Sequence, residues 1–174
     1  TWTGSVAPIV YIKAKPIFVD ISITDWSVDY DSILKALSPQ TKAIISVDLY
    51  GKMTDYTKLN QLCISKGIQL ICDSAEALGS SLNNIKAGKY GVFSVHSFHR
   101  TKTITTGEGG AFLTDDDELF ARAKFLRDHG RSDKKNYYII EPSPKYMPSN
   151  IMGALACAQL DRIDELISKK RKIR

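Results

Sequence analysis

Cysteine is scarce in this sequence: Cys63, Cys72 and Cys157 are the only three in 174 residues, widely spaced and without a Cys-x-x-Cys pair. Neither a disulfide framework nor a zinc site can be built from them, and small buried thiols on helices and strands are expected instead. Long hydrophobic runs are missing as well. No stretch approaches the roughly 20 apolar residues of a membrane-spanning helix, and the first residues do not read as a charged-then-apolar leader. No membrane partner is therefore expected, and the cytoplasm is the default compartment. Histidine is equally rare. His96 and His99, three apart on a strand-to-turn segment, would not converge on an ion, and without a third ligand no metal site is expected.

What is present is the composition of an ordinary globular protein, 43% apolar and 25% charged, long enough for one domain with its own core. Disordered and collagen-like classes are excluded. The formal net charge is +5, and much of it lies in the run Lys169-Lys170-Arg171-Lys172-Ile173-Arg174. Such a run is a solvated helix end or a contact for an acidic surface. No aromatic residue is interleaved with it, so no nucleic-acid partner is expected. The chain opens on Thr1 and stops inside a helical pattern, which predicts a piece of a longer protein, incomplete at both ends.

Along the chain, Pro16-Ile17-Phe18-Val19-Asp20-Ile21 reads as a short strand. Asp29 to Leu37 spaces Ile33, Leu34 and Leu37 as a helix does, and Ser38-Pro39 ends it. Lys42 to Leu49 holds the run Ala-Ile-Ile-Ser-Val, typical of a strand buried on both faces. A helix is predicted over Thr54 to Lys66, stopping at Gly67, followed by a buried strand over Ile68 to Cys72 that closes on Asp73. This alternation implies right-handed crossovers and a mostly parallel sheet. Val92 to Phe98 and Gly110 to Thr114 supply further strands. Asp115 is the expected cap of a helix running through Leu126. Gly130 to Asn150, with Pro142, Pro144 and Pro148, reads as an extended loop. Ser149 then caps a final helix whose stripe is Ile151, Leu155, Ala158 and Ile163.

Two segments carry chemistry. In open parallel sheets, ligands sit at the carboxyl ends of the strands, and Asp73 lies there. An aspartate ending a buried strand is costly unless it meets a cation or several donors. On these residues alone, capping the next turn and pairing with a cationic ring nitrogen are both open. The second segment runs from Ser97 to Gly110, a hydroxyl- and glycine-rich turn with Lys102 in its middle. Such a turn can hydrogen-bond an anion and lets the backbone approach it. It lacks the Gly-Lys-Ser/Thr ending of a Walker loop.

Taken together, the segments resemble the sugar-nucleotide aminotransferases of the DegT/DnrJ/EryC1/StrS family. The matching pieces are Thr1-Trp2, Pro16 to Asp20, Thr41 to Ile45, Asp48-Leu49-Tyr50-Gly51, Asp73-Ser74-Ala75-Glu76-Ala77-Leu78-Gly79, Ser97-Phe98 with Lys102, Thr106-Gly107-Glu108-Gly109-Gly110, Arg127-Asp128-His129-Gly130, and Ser149-Asn150-Ile151 with Ala158-Gln159-Leu160. They run from end to end of the chain. The resemblance implies an α/β fold, the three-layer large domain of a fold type I aminotransferase, with a mostly parallel sheet between helices. It also implies pyridoxal 5'-phosphate as cofactor, with residues 1–160 as the cofactor-binding domain and 161–174 as the start of a linker helix toward a carboxyl-terminal domain.

The same resemblance assigns roles. Lys102 would link covalently to the cofactor, be displaced by substrate amines and then shuttle a proton between carbon atoms. Asp73 would bind the ring nitrogen and keep it protonated. Ser97 corresponds to the family serine on the cofactor phosphate, and Glu76 to the Gln or Glu near the ring hydroxyl. Trp2 stands where an aromatic residue stacks on the ring face; a core or interface aromatic is the other reading. His99 and Arg100 flank the lysine and could face the sugar or its nucleotide, and Arg131, Tyr137 and Tyr138 lie in a loop that resembles the family's nucleotide-contacting part. Lys145 stands where many members carry an asparagine that reaches the partner subunit's phosphate; it could serve a phosphate, and an exposed loop lysine is the other reading.

The expected reaction is transfer of an amino group from glutamate to the C4 keto group of a nucleotide-linked 4-keto-6-deoxysugar, as in the perosamine-type subgroup, whose products feed surface polysaccharides. A homodimer with active sites shared across the interface is expected. The alternatives are C3 transfer and a non-catalytic sugar-nucleotide-binding paralogue. Related dehydratases replace the lysine by histidine, so Lys102 separates this chain from them.

Overall fold

A four-stranded sheet organises the computed structural model, which describes residues 2–173. Thr1 of the amino-terminal motif and Arg174 of the basic run lie outside the described residues. The first elements are a short helix α1 (Ala7–Tyr11) and α2 (Tyr30–Ala36). The side chain of Asp29 caps α2 by accepting from the Ser32 N–H, which satisfies one of the amides a helix start leaves open. The predicted strand over Pro16–Ile21 does not form. Its only ladder contact is an isolated bridge from Ile21 to Val28, and Ile17 and Phe18 face solvent. Favourable side chains do not make a strand without a neighbour to receive its amides.

The sheet is built from β1 (Ala43–Val47), β2 (Gln69–Asp73), β5 (Phe93–Ser97) and β6 (Gly110–Leu113), in the order β1-β2-β5-β6. The first two pairings are parallel and the last is antiparallel, so the sheet is mostly parallel, as expected. A two-stranded ribbon, β3 (Ser81–Leu82) and β4 (Ile85–Lys86), sits in the connection between β2 and β5. β1 is an edge strand of this sheet, and Ile44 and Ile45 are only half-buried. The expectation of burial on both faces therefore does not hold here.

Strand periodicity divides the sheet residues between two faces. Ser46, Leu70, Cys72, Ser94 and His96 point to the buried side. There α3 (Tyr56–Lys66) packs Tyr56, Leu59, Leu62 and Cys63 against them, together with Ile33, Met53 and Ile68. The Tyr56 and Tyr90 rings stack within this core at a centroid distance of 4.8 Å. The helix ends as predicted on Gly67, in the left-handed conformation that a side chain disfavours. Asp73, Val95 and Ser97 point to the opposite face by the same alternation.

The rest of the described chain holds three helices and, over 127–149, the extended loop that the prolines predict. α4 (Asp117–Leu126) is capped by Asp116, not by Asp115: the Asp116 carboxylate accepts from both Glu118 and Leu119. Only the residue immediately before the first helical turn has its side chain in reach of those amides. α5 (Asn150–Leu160) is capped by Ser149 as predicted, but the final helix is not continuous. It is interrupted by a turn at Asp161–Arg162, after which α6 (Ile163–Ile173) begins. α6 returns to the sheet's ligand end, with Ile167 against Gly79 and the Arg171 guanidinium on the Gly79 carbonyl at 3.0 Å. Cys63 and Cys72 are buried, as expected; Cys157 on α5 is exposed. No helix of the described residues is long and apolar enough to cross a membrane.

Gly91 marks the entry to β5. Its φ is +71°, and a Cβ there would collide with the Leu70 carbonyl, the oxygen that receives the Val92 N–H at 2.8 Å. Gly67 also has positive φ but open space around it. In denaturant titrations of the intact protein, Gly67→Ala should cost about 1 kcal/mol from backbone strain alone, and Gly91→Ala about 3 kcal/mol. Equal costs would show that the Leu70 contact is not what excludes a side chain.

Candidate active site

Parallel pairing of β2 with β5 brings their carboxyl ends together. Asp73 closes β2 and Ser97 closes β5, on the same face of the sheet. Lys102 follows in the turn that leaves β5. Its ammonium donates to the Glu76 carboxylate at 2.9 Å, with most of both side chains covered. The other Glu76 oxygen accepts the Tyr50 N–H at 2.8 Å. Tyr50 has φ +52°, and this local geometry aims its amide at the carboxylate. Three sequence segments thus converge: the turn after β1, the turn after β2 and the turn after β5.

Asp73 meets the requirement that a carboxylate at a strand end find donors. Its Oδ2 accepts the Ser5 hydroxyl at 2.5 Å and its Oδ1 the Ala75 N–H at 3.1 Å. The turn-capping role is therefore real. Each carboxylate oxygen can accept more than one hydrogen, so a cationic N–H is compatible with it. Ser97 accepts the His99 N–H at 3.2 Å, which leaves the hydroxyl's own hydrogen to give to an anion. Asp73, Ser97 and a covered primary amine form a donor and acceptor set that fits pyridoxal phosphate: an acceptor for a ring N–H, a donor for a phosphate and a nucleophile.

The turn is also braced from within. Its amides and hydroxyls are used internally: Phe98 N–H donates to Gly109, Thr106 N–H and the Thr105 hydroxyl to Phe98, and Gly107 N–H to Thr105 Oγ1. Ile104 anchors it in the interior. From α5, the Gln159 side chain clamps Thr105 on both sides, accepting its N–H at 2.9 Å and donating to its carbonyl. These bonds fix the path of the turn and so position Lys102, while Ser97 at its start keeps a hydroxyl hydrogen to offer an anion.

The remaining predicted residues spread outward. Trp2 is 82% exposed. His99 is partly exposed, with Nδ1 3.0 Å from Thr101 Oγ1 and Nε2 3.8 Å from Glu108, and Arg100 is exposed beside it. Arg131 and Lys145 belong to the separate loop after α4. Arg131 pairs with Asp128, and the Lys145 backbone bridges the same residue. Neither hydrogen-bonds to Lys102, Glu76 or Asp73 among the described residues. Two surface hollows are lined by residues other than the lysine, one by Gly91 and Val92 with Asp115–Glu118 at the start of α4, and one by His129 and Pro142.

Ser5, Tyr50 and Gln159 are site residues that sequence reasoning did not assign. Tyr50 and Gln159 lay in matching motifs, but their roles run through a backbone amide and a distant helix, which residue type does not announce. Burial would push the Glu76 carboxyl up; the Tyr50 N–H and Lys102 outweigh it and hold it below the ordinary carboxylate range. A carboxyl lowered by folding stabilises above its unfolded value and loses that contribution as the pH falls through the folded value. Glu76→Gln should therefore cost on the order of 1 kcal/mol at pH 7, and the difference from wild type should shrink once the pH drops below about 4. A pH-independent difference in denaturant titrations would contradict the ion pair.

The whole sequence, residues 1–174, matches the model of the DegT/DnrJ/EryC1/StrS aminotransferase family. GDP-perosamine synthase of Escherichia coli O157:H7 is 37% identical over 173 residues, 99% of this chain and 48% of that protein. Among solved structures, Helicobacter pylori PseC, an aminotransferase involved in the biosynthesis of pseudoaminic acid, superposes with a TM-score of 0.89 at 32% identity, over 94% of this chain and 44% of that one. E. coli GDP-4-keto-6-deoxy-D-mannose-3-dehydratase with bound hydrated pyridoxal phosphate gives a TM-score of 0.92 at 28% identity, over 99% and 49%. The chain spans about half the length of the curated relatives it matches. Its sheet, flanking helices and converging strand ends are those of fold type I, and the chain belongs to the DegT/DnrJ/EryC1/StrS aminotransferase family.

Proposed function

We propose that the protein is a pyridoxal-phosphate-dependent sugar-nucleotide aminotransferase that moves an amino group from glutamate to the C4 keto group of a nucleotide-linked 4-keto-6-deoxysugar, for surface polysaccharide synthesis. The observation that carries this reading is the covered Lys102 ammonium, held by Glu76 beside the strand ends that bear Asp73 and Ser97. When bound, pyridoxal phosphate supplies an electrophilic carbon for amines and a ring that withdraws electrons. The protein's own residues do the rest.

Lys102 Nζ is the nucleophile and, once released, the base that removes and returns the proton at the substrate carbon. Glu76 keeps that amine at its station. Asp73 holds a proton on the ring nitrogen; each pKa unit of preference is worth about 1.4 kcal/mol, so an anionic partner is sufficient. Ser97 donates to the phosphate, and Trp2 covers the ring face. His99, Arg100 and Arg131 contact the sugar nucleotide. Lys145 reaches a phosphate of a second subunit in a homodimer whose sites are shared. Residues 1–160 form the cofactor domain, with 161–174 leading into a linker helix.

The GDP-perosamine synthase relatives favour C4 transfer, and the lysine at position 102 disfavours a dehydratase. In the intact protein loaded with cofactor, borohydride should bleach a visible absorption band. Lys102→Ala should lack that band and lose at least about 100-fold in turnover; retention of the band would sink the assignment. Mixing 4-keto nucleotide sugars with glutamate should yield 2-oxoglutarate and a 4-amino sugar. Turnover of 3-keto substrates alone would replace C4 by C3, and binding without any turnover would point to the non-catalytic paralogue.

A further inference from the structure

Directly behind Asp73 lies a second carboxylate with no place in the chemistry above. Asp48 follows β1 and is 0% exposed. Its Oδ1 accepts the Tyr56 hydroxyl at 2.6 Å and its Oδ2 the Ser74 hydroxyl at 2.7 Å. Its own N–H donates to the Asp73 carbonyl at 2.9 Å. Tyr56 is itself buried, on the core face of α3, and stacks on Tyr90. The carboxylate is therefore tied to a rigid aromatic on one side and to the residue after Asp73 on the other.

Ser74 is gripped from three directions. Its N–H donates to the Val95 carbonyl at 3.0 Å, its carbonyl receives the His96 Nδ1 hydrogen at 2.9 Å, and its hydroxyl is held by Asp48. All three partners are buried or on sheet strands. The peptide that links Asp73 to Ser74 consequently has no freedom to rotate, and the Asp73 side chain leaves it on the opposite face of the sheet. We propose that Asp48 is a positioning residue for Asp73, clamping the Ser74 hydroxyl and so fixing the direction in which the Asp73 carboxylate faces. The proposal rests on the aminotransferase reading, because it is the ring nitrogen that makes the direction of Asp73 matter.

A buried carboxylate is a poor way to gain stability, since desolvation costs several kcal/mol. Burial pushes the Asp48 carboxyl up, against the hydroxyls of Tyr56 and Ser74, and the neighbouring Asp73 charge adds to the rise. What two short hydroxyl-to-carboxylate bonds supply is direction, because charge-assisted bonds are both stronger and more geometrically restrictive than neutral ones. The arrangement is suited to orienting a neighbour at a site where misplacement by about 1 Å costs roughly 100-fold in rate.

The test uses the intact protein loaded with pyridoxal phosphate, comparing wild type, Asp48→Asn, Tyr56→Phe and Lys102→Ala. Asp48→Asn keeps the shape and removes the charge. It should lower kcat by about 10- to 100-fold, leave the KM for glutamate within about twofold and shift the maximum of the visible cofactor band. Tyr56→Phe, which spares the Ser74 bond, should do the same more weakly, and it carries the test if Asp48→Asn does not fold. A purely structural role would lower the melting temperature while kcat per folded molecule and the band position stay at wild-type values, and that result overturns the inference. Loss of the borohydride-sensitive band in Lys102→Ala with unchanged Asp48→Asn kinetics sinks this inference alone. Retention of the band in Lys102→Ala sinks the parent reading.

Discussion

Parallel pairing between β2 and β5 is the constraint on which the rest depends. Parallel strands end on the same side, so the residues that close them are brought to one edge without any further device. Pairing Asp73 with Val95 puts Asp73 and Ser97 on the same face, two residues apart along neighbouring strands. The segment after β5 then starts beside the segment after β2, and the Lys102–Glu76 pair closes between them. Had β5 run antiparallel to β2, the same residues would lie at opposite ends of the sheet.

The two faces of this sheet do different work. The face toward α3 is packed with Leu70, Cys72, Tyr56 and Leu59, and it also carries a polar seam of Ser46, Thr54, Asp48, Ser74 and His96. Buried polar groups of this kind are costly singly and directional when every member is satisfied. The opposite face carries Asp73 and Ser97 and is more open. The satisfied polar seam thus lies on one side of the backbone and the Asp73 and Ser97 side chains on the other, with the peptide of Ser74 as the connection. The lysine turn is held by a separate device, the Gln159 clamp from α5, so residues far apart in sequence secure the amine and its acceptor independently.

Much of this was legible beforehand. The helix limits at Asp29, Gly67 and Ser149 follow from capping chemistry, which is local, and the structure keeps all three. The alternation of strands and helices implied parallel crossovers, and the strand-end logic singled out Asp73. The failures are equally instructive. Pro16–Ile21 has strand-like residues but pairs only through the isolated Ile21–Val28 bridge. Asp115 and Asp116 are indistinguishable by type, and a one-residue difference in where the helix begins decides which one caps it. Cys157 sits on a helix whose stripe looked buried and is exposed in this chain.

For the site, residue type was enough where the chemistry demands one particular group: an amine at Lys102 and a carboxylate at Asp73. It was not enough for Ser5, Tyr50, Gln159 or Asp48, because a hydroxyl, an amide, a carboxamide or a second carboxylate acquires its role only from what it is folded against. The amino-acid sequence by itself determined the family and the mostly parallel α/β class, since each of these is encoded in local periodicity or in short motifs. Tertiary structure alone decided that Lys102 rests on Glu76 and that Asp48 stands behind Asp73. The Lys102–Glu76 and Asp48–Ser74 contacts each join residues 26 apart, and no local pattern specifies which distant partner a side chain will find.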